Sequence, residues 1–257
     1  MKHIAVVTGA SSGVGREFVN QLDKGAWGYL DEIWVLARRA GELEELSAET
    51  STPVRVFAVD ITDLDQLEEY RTALAEERPS IRYLINSAGM GTFGRIRREK
   101  LDNLTGMVDL NARALVEMTY ISLPYVERGS CIINMSSAIA FIPQPQAAVY
   151  QATKRFVFDF SRSLHYDLED VGISVTAACP KAMHTEFFDE PGDKRAAMSM
   201  KVLGVESPKR VVKRALKDVN SGKDVSISSK TVKLFRLKRK MLPLSVFMKL
   251  QKLTRMV

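Results

Sequence analysis

The sequence predicts an α/β protein: one doubly wound parallel sheet of about seven strands with helices on both faces, followed by a basic amphipathic helical extension. Three observations predict it. Short apolar runs alternate with longer amphipathic stretches over most of the chain, and strands that alternate with helices call for a parallel sheet covered on both sides. The first apolar run ends in a glycine-rich turn that opens a helix. At 257 residues the chain holds one sizeable α/β domain but not two full ones. The expected division is a main domain over 1–228 and an extension over 229–257.

The elements follow in order. Residues 3–8 are a continuous apolar run, and Thr8-Gly9-Ala10-Ser11-Ser12-Gly13-Val14-Gly15 leads into a helix reaching about Lys24. Glu32 to Ala37 reads as a second strand, Arg38 to Glu49 as a helix, and Val54 to Val59 as a third strand ending at Asp60. Leu64, Leu67, Tyr70 and Leu74 space an apolar stripe along a helix over 64–77. A fourth strand, Tyr83 to Ile85, leads into Asn86-Ser87-Ala88-Gly89. Long helices over about 100–125 and 147–170 flank the strand Cys131 to Met135, and a sixth strand, Ile173 to Ala178, stops at Pro180.

Bulk properties narrow the function classes. Hydrophobic content of 46% with 26% charged residues is ordinary for a soluble globular protein, and no apolar stretch is long enough for a membrane-spanning helix. The first residues run straight into a strand, which leaves no room for a signal peptide. Cys131 and Cys179 sit in apolar strand patterns and read as packed, reduced thiols of a cytoplasmic protein. Three scattered histidines have no metal-ligand spacing, so no metal is expected. Residues 230–257 carry nine Lys or Arg and no acid, which leaves the rest of the chain at −3 against the overall +6. Basicity is therefore a property of the tail, which argues against a nucleic-acid-binding face on the core.

Chemistry-bearing residues concentrate around the strand 131–135. Tyr150 and Lys154 stand at i and i+4 of the following helix and leave the same face. An ammonium beside a phenol lowers its pKa from about 10 towards working pH, and such a tyrosine can exchange a proton with a substrate oxygen. Ser137, at the strand end, is within reach of the same oxygen. The strand, glycine turn and helix at the N-terminus offer backbone N–H groups and a helix end to a phosphate. Glycines serve where the backbone bends tightly or approaches a pyrophosphate, the mark of a Rossmann-like sheet. Gly9, Gly13 and Gly15 depart from the usual G-x-G-x-x-G spacing. Roughly twenty residues on, an acid would favour NAD. This chain has Arg38 and Arg39 after Ala37, and guanidinium groups there suit a 2′-phosphate, favouring NADP(H) over NAD(H).

Thr8-Gly9-x-x-x-Gly13-x-Gly15, Asp60, Asn86-Ser87-Ala88-Gly89, Asn111, Ser137, Tyr150 with Lys154, and Pro180 with Thr185 occur in one order between residues 8 and 185, about 70% of the chain. In this set the sequence resembles the short-chain dehydrogenase/reductase (SDR) family, of the classical type. The resemblance implies that Tyr150 is the catalytic acid/base, that Lys154 tunes it and holds the nicotinamide ribose, and that Ser137 positions the substrate oxygen. It implies that Asn111 anchors a water in a proton relay. Cofactor contacts are implied for Gly9, Ser11, Ser12, Gly13, Val14, Gly15, Arg38, Arg39, Asp60, Ile61, Asn86, Ala88, Gly89, Pro180, Met183 and Thr185, besides Tyr150 and Lys154. Asp60 is expected at the adenine and Thr185 at the carboxamide. Lys181 stands where a glycine usually follows the proline, and Ser87 replaces the commoner alanine. Family members pair through the two helices flanking the active-site strand, so a homodimer is expected.

The substrate loop is expected over about 182–206. Its Met183, Phe187, Phe188, Met198, Met200, Val202 and Leu203, with Ala138 to Ile142 opposite, either line an adaptable apolar pocket or pack the loop on the core. Ser137, Ile139, Phe187 and Phe188 are the candidate substrate contacts, for a lipophilic molecule, sterol-like or acyl. In the tail, apolar residues from Phe235 to Met256 interleave with Lys and Arg. Such a segment either lies at an anionic membrane surface or docks on its own domain or a partner subunit. The expected function is NADP(H)-dependent interconversion of a secondary alcohol and a ketone. The alternatives are a 3-oxoacyl-carrier-protein reductase and, in another class, a non-catalytic dinucleotide sensor.

Overall fold

A computed structural model of the protein describes residues 1–183 and 204–241, the backbone alone over 238–241. Seven parallel strands form one sheet in the order β3-β2-β1-β4-β5-β6-β7. They are β1 His3–Thr8, β2 Glu32–Ala37, β3 Val54–Ala58, β4 Ser80–Asn86, β5 Cys131–Met135, β6 Ser174–Ala178 and β7 Val225–Ser226. The continuous apolar strands are explained by the layering, because both faces of the sheet are covered. On β1, Ala5 and Val7 face one core with Phe18, Leu22, Leu43, Leu46, Val212 and Leu216. Ile4 and Val6 face the other, with Trp34, Leu67, Tyr70, Leu74 and Met118.

The helices are α1 Gly13–Asp23, α2 Ala40–Glu49, α3 Glu68–Glu77, α4 Leu101–Val108, α5 Ala114–Ser122, α6 Ala148–Leu168, α7 Pro208–Val219 and α8 Lys230–Met241. Two of them differ from the sequence expectation. The helix expected from residue 64 begins at Glu68, because polar side chains capture the preceding turns. Asp60 Oδ1 accepts from Thr62 N at 2.9 Å, Asp63 Oδ1 from Asp65 N at 3.0 Å, and Gln66 Oε1 from Asp60 N at 2.8 Å. These local bonds compete with helix initiation, and Leu64 is left exposed. The helix expected over 100–125 is interrupted by a π-turn, Asp109–Arg113, between α4 and α5. It ends in a 3₁₀ turn, Leu123–Tyr125.

Two consequences matter for the site. Strand order reverses between β1 and β4, and in open α/β sheets ligands bind at the carboxyl ends of the strands at such a switch. The start of the extension also docks on the chain itself. Val232 of α8 is buried with Ala138, Phe141, Phe158 and Ile227, and the Arg236 guanidinium stacks over the rings of Phe141 and Phe158 at 5.3 and 5.5 Å.

At the sheet's far edge, the carboxylate of Asp218 is only 1% exposed and takes Arg214 Nε at 2.6 Å, Lys223 Nζ at 2.8 Å and Ser226 Oγ of β7 at 2.9 Å. Burial pushes its carboxyl up, but those three donors outweigh burial and hold it below its ordinary 3.8. A depressed carboxyl stabilises the fold above its unfolded pKa and loses that stabilisation as pH falls through the folded value. Asp218→Ala is therefore expected to cost about 2 kcal/mol at neutral pH in urea unfolding. The difference from the native chain should shrink as pH falls below 3.8.

Candidate active site

The ends of β1, β4 and β5 converge, and their loops build the cleft. After β1 the chain turns back against β4. Gly9 has φ +68°, and a Cβ on it would lie 2.7 Å from Ala88 Cα. A Cβ on Gly15 would lie 2.1 Å from the Gly9 carbonyl oxygen, so neither position admits a side chain. Thr8 Oγ1 locks the two loops together by accepting from Ser87 N and Ala88 N, both at 3.1 Å. Ser12 precedes α1 in extended conformation without a side-chain cap, and the first turn of α1 holds no acid. Its leading N–H groups and positive helix end are thus left for an anion. Beside them the Arg39 guanidinium reaches Ser11 Oγ at 3.2 and 3.3 Å. Arg38, 76% exposed in its side chain, comes within 3.9 Å of Asp60. An uncapped helix end and two excluded Cβ positions fit a dinucleotide, with two guanidinium groups beside them.

The proton-transfer side is built on α6. Tyr150, Thr153, Lys154, Val157, Phe158, Ser161 and His165 form its buried stripe. Lys154 Nζ donates to the carbonyl of Met135 at 2.9 Å, and Ser136 Oγ returns a bond to the Lys154 carbonyl at 2.7 Å, so α6 is tied to the end of β5. Tyr150 is 7% exposed and lies by the Ser137 side chain, and Lys154 Nζ lies 6.0 Å from its ring centre. Asn111, in the π-turn, donates to Met90 O at 2.8 Å and Thr153 Oγ1 at 3.1 Å and accepts from Met90 N at 2.9 Å. A Cβ on Gly89 would come within 3.0 Å of Asn111 Oδ1 and 3.1 Å of Lys154 Nζ. Gly89, Asn111 and Lys154 therefore face one small space.

The expected downward shift of the tyrosine is corrected by the structure. Burial pushes the Tyr150 phenol up to about 12, with the nearby Ser137 side chain pulling the other way, and burial lowers Lys154 to about 8. The ammonium is desolvated and directed at Met135 O, so desolvation dominates both groups. Lys154 binds fewer protons folded than unfolded between pH 8 and 10.5, so stability from this group rises across that window. In urea unfolding the native chain should gain about 3 kcal/mol relative to Lys154→Met between those pH values. Equal pH profiles would refute the shift.

The remaining candidates fall as follows. Asn86 donates to Asn134 Oδ1 at 2.8 Å and Thr119 Oγ1 at 3.1 Å inside the sheet. Ile61 points into the core, so only its backbone can meet a cofactor. The side chain of Val14 packs partly on the other core. Pro180 O accepts from Ala138 N at 2.8 Å. Met183 forms a parallel bridge with Glu206, and Lys181 N donates to the Glu206 carboxylate at 3.2 Å. The base of the expected substrate loop is clasped in this way. Ile139 lies in the 3₁₀ turn Ala138–Phe141 beside Ser137. Thr185, Phe187 and Phe188 lie outside the described residues.

Sequence reasoning missed several supports. Asn134 extends a polar ladder from Asn86 to Ser161 Oγ at 3.0 Å, and Thr153 links Asn111 to the Tyr150 carbonyl at 2.8 Å. Thr153 and Ser161 were findable as polar residues on the buried stripe of α6. Phe93 packs edge-on against Tyr150 with ring centres 5.5 Å apart. Gln146, at φ +66°, accepts from Gly94 N at 2.7 Å through its carbonyl. Neither contact has a sequence signature.

Comparison with known proteins agrees with this geometry. The family model described as short chain dehydrogenase matches residues 3–196. The chain is 34% identical over 190 residues to a serine 3-dehydrogenase of Rhizobium radiobacter, covering 73% of this chain and 74% of the relative. It is 31% identical over 221 residues to a very-long-chain 3-oxoacyl-CoA reductase of Bos taurus, covering 79% and 69%. A short-chain dehydrogenase from Sphingobium yanoikuyae, solved with NADPH, superposes with a TM-score of 0.76 at 25% identity over 93% of this chain and 92% of that one. These relatives act on unlike substrates within one fold, and the protein studied here belongs to the short-chain dehydrogenase/reductase family of oxidoreductases.

Proposed function

We propose that the protein is an NADP(H)-dependent oxidoreductase that interconverts a secondary alcohol and a ketone on a lipophilic substrate. One observation carries the reading: a buried phenol sits one helical turn from a buried lysine, whose Nζ faces Gly89, next to the Ala88 that packs on Gly9 of the glycine turn. Bound there, a nicotinamide supplies or accepts the hydride at the substrate carbon. Tyr150, held protonated by its burial, donates its proton to the oxygen of a ketone as the carbon is reduced. Oxidation of the alcohol uses the reverse transfer. Ser137 orients that oxygen through its hydroxyl. Lys154 fixes Tyr150 by anchoring α6 and presents its ammonium towards the ribose side of the cradle.

NADP is supported by Arg39 beside Ser11 and by the exposed Arg38; the NADPH bound to the Sphingobium relative supports the same reading. A lipophilic substrate is supported by Phe93, which packs on Tyr150, and by Ile139 beside Ser137. A 3-oxoacyl thioester is the second reading, favoured by Arg95, Arg97 and Arg98, which are exposed just beyond Phe93 and suit an acidic carrier. Tyr120, Phe156 and Tyr166, exposed at 79%, 43% and 60% on α5 and α6, support pairing of two copies through those helices. Buried free thiols at Cys131 and Cys179 support a reducing, cytoplasmic setting.

The test is turnover with a panel of lipophilic ketones, alcohols and 3-oxoacyl thioesters, following nicotinamide absorbance. Tyr150→Phe should lower kcat by about 10²- to 10⁴-fold while NADPH affinity stays within about twofold; unchanged turnover would sink the assigned role. Arg38→Ala combined with Arg39→Ala should weaken NADPH by about tenfold or more and leave NADH nearly untouched. Equal losses for both cofactors would refute the phosphate reading.

A further inference from the structure

Helix α8 turns two unlike faces to its surroundings. Val232, Phe235 and Arg236 face the chain's own core, where Arg236 is stacked on Phe141 and Phe158. Lys230, Lys233, Leu234 and Leu237, at i, i+3, i+4 and i+7, line the opposite face. On that face Leu234 is 53% and Leu237 56% exposed. Leucines lying open between lysines on a helix already anchored by its other side call for an outside partner.

We propose that this outer stripe of α8 docks the protein on an anionic bilayer surface. Charge complementarity selects the occupant. Residues 230–257 hold nine cations and no acid, so a symmetric pairing of two copies through this patch would set lysines against lysines. A purely ionic polyanion would use the lysines but not the leucines. A bilayer with acidic headgroups uses both, burying the leucines at the acyl boundary while the lysines meet the phosphates. The sequence continues the same chemistry past the described residues, with Leu242, Leu244, Phe247, Leu250 and Leu253 among Lys249, Lys252 and Arg255. No described helix is long and apolar enough to cross a membrane, so the contact is peripheral.

Placement gives the docking a use. Helix α8 packs on the 3₁₀ turn Ala138–Phe141, which begins next to Ser137 and contains Ile139. Docking through the outer face brings that rim of the cleft to the lipid surface, so a substrate dissolved in the bilayer enters without crossing water. This use rests on the lipophilic-substrate reading; the docking itself does not.

The full chain, without cofactor or substrate, is floated with vesicles of phosphatidylcholine alone and of phosphatidylcholine with about 30% phosphatidylserine. Binding to the anionic vesicles, weakening as salt rises, is expected. Two variants, Leu234→Asp with Leu237→Asp and Lys230→Glu with Lys233→Glu, should each lower vesicle partition by at least about tenfold. Both should keep the native unfolding transition and turnover of a short, water-soluble ketone. No flotation, or flotation that neither variant alters, would overturn the proposal. A fall in oligomeric mass in either variant would also overturn it, marking the stripe as a subunit contact. Failure of NADPH turnover on every ketone would instead strike the functional reading and leave the vesicle result standing.

Discussion

The contact on which the site depends is the Lys154 ammonium against the Met135 carbonyl, 2.9 Å apart in an almost dry interior. A buried ammonium is costly unless its hydrogens find acceptors, and the end of β5 supplies one. The bond fixes α6 in height and rotation relative to the sheet, and the return bond from Ser136 to the Lys154 carbonyl closes the pair. Tyr150 then has its place, with the Lys154 ammonium 6.0 Å from its ring centre. It lies by the Ser137 side chain and its ring is held by Phe93. A charge that the fold tolerates poorly is what positions the proposed proton donor.

Around this contact the interior is unusually polar for a parallel sheet. Asn86, Asn134 and Ser161 run as a ladder from β4 through β5 into α6, and Thr119 joins from α5. Buried amides need partners from one another, so the ladder fixes the register of two strands and two helices at the level of the cleft. Asn111 and Thr153 form a second, shorter chain that reaches the Tyr150 carbonyl. Both networks lie behind Tyr150 and Lys154 and give them a rigid backing.

Much of this was legible in the sequence. Apolar runs announced the strands because both faces of the sheet are covered. The glycine turn was recognisable because Gly9 and Gly15 leave no room for a Cβ. Tyr150 and Lys154 were recognisable because helical spacing alone puts them on one face. What escaped depended on contacts between distant residues. Spacing suggested that a nearby ammonium would acidify the tyrosine, but depth of burial reverses the sign. The break at 109–113 carries no proline or glycine, and Leu64 fitted a helical stripe that side chains of Asp60 and Asp63 pre-empt. The outward stripe of α8 became visible only once Arg236 was seen to anchor the opposite side.

The π-turn at Asp109–Arg113 amounts to one extra residue wound into an otherwise continuous helix. An α-helix turns by about 100° per residue. Removing a single residue from this stretch would restore a regular helix while swinging everything on one side of the cut by that angle. Asn111 would leave Met90 and Thr153 behind, although no side chain of the site had been replaced. The catalytic cleft is thus protected by chain length as much as by residue identity, and a one-residue deletion here would do the damage of several substitutions.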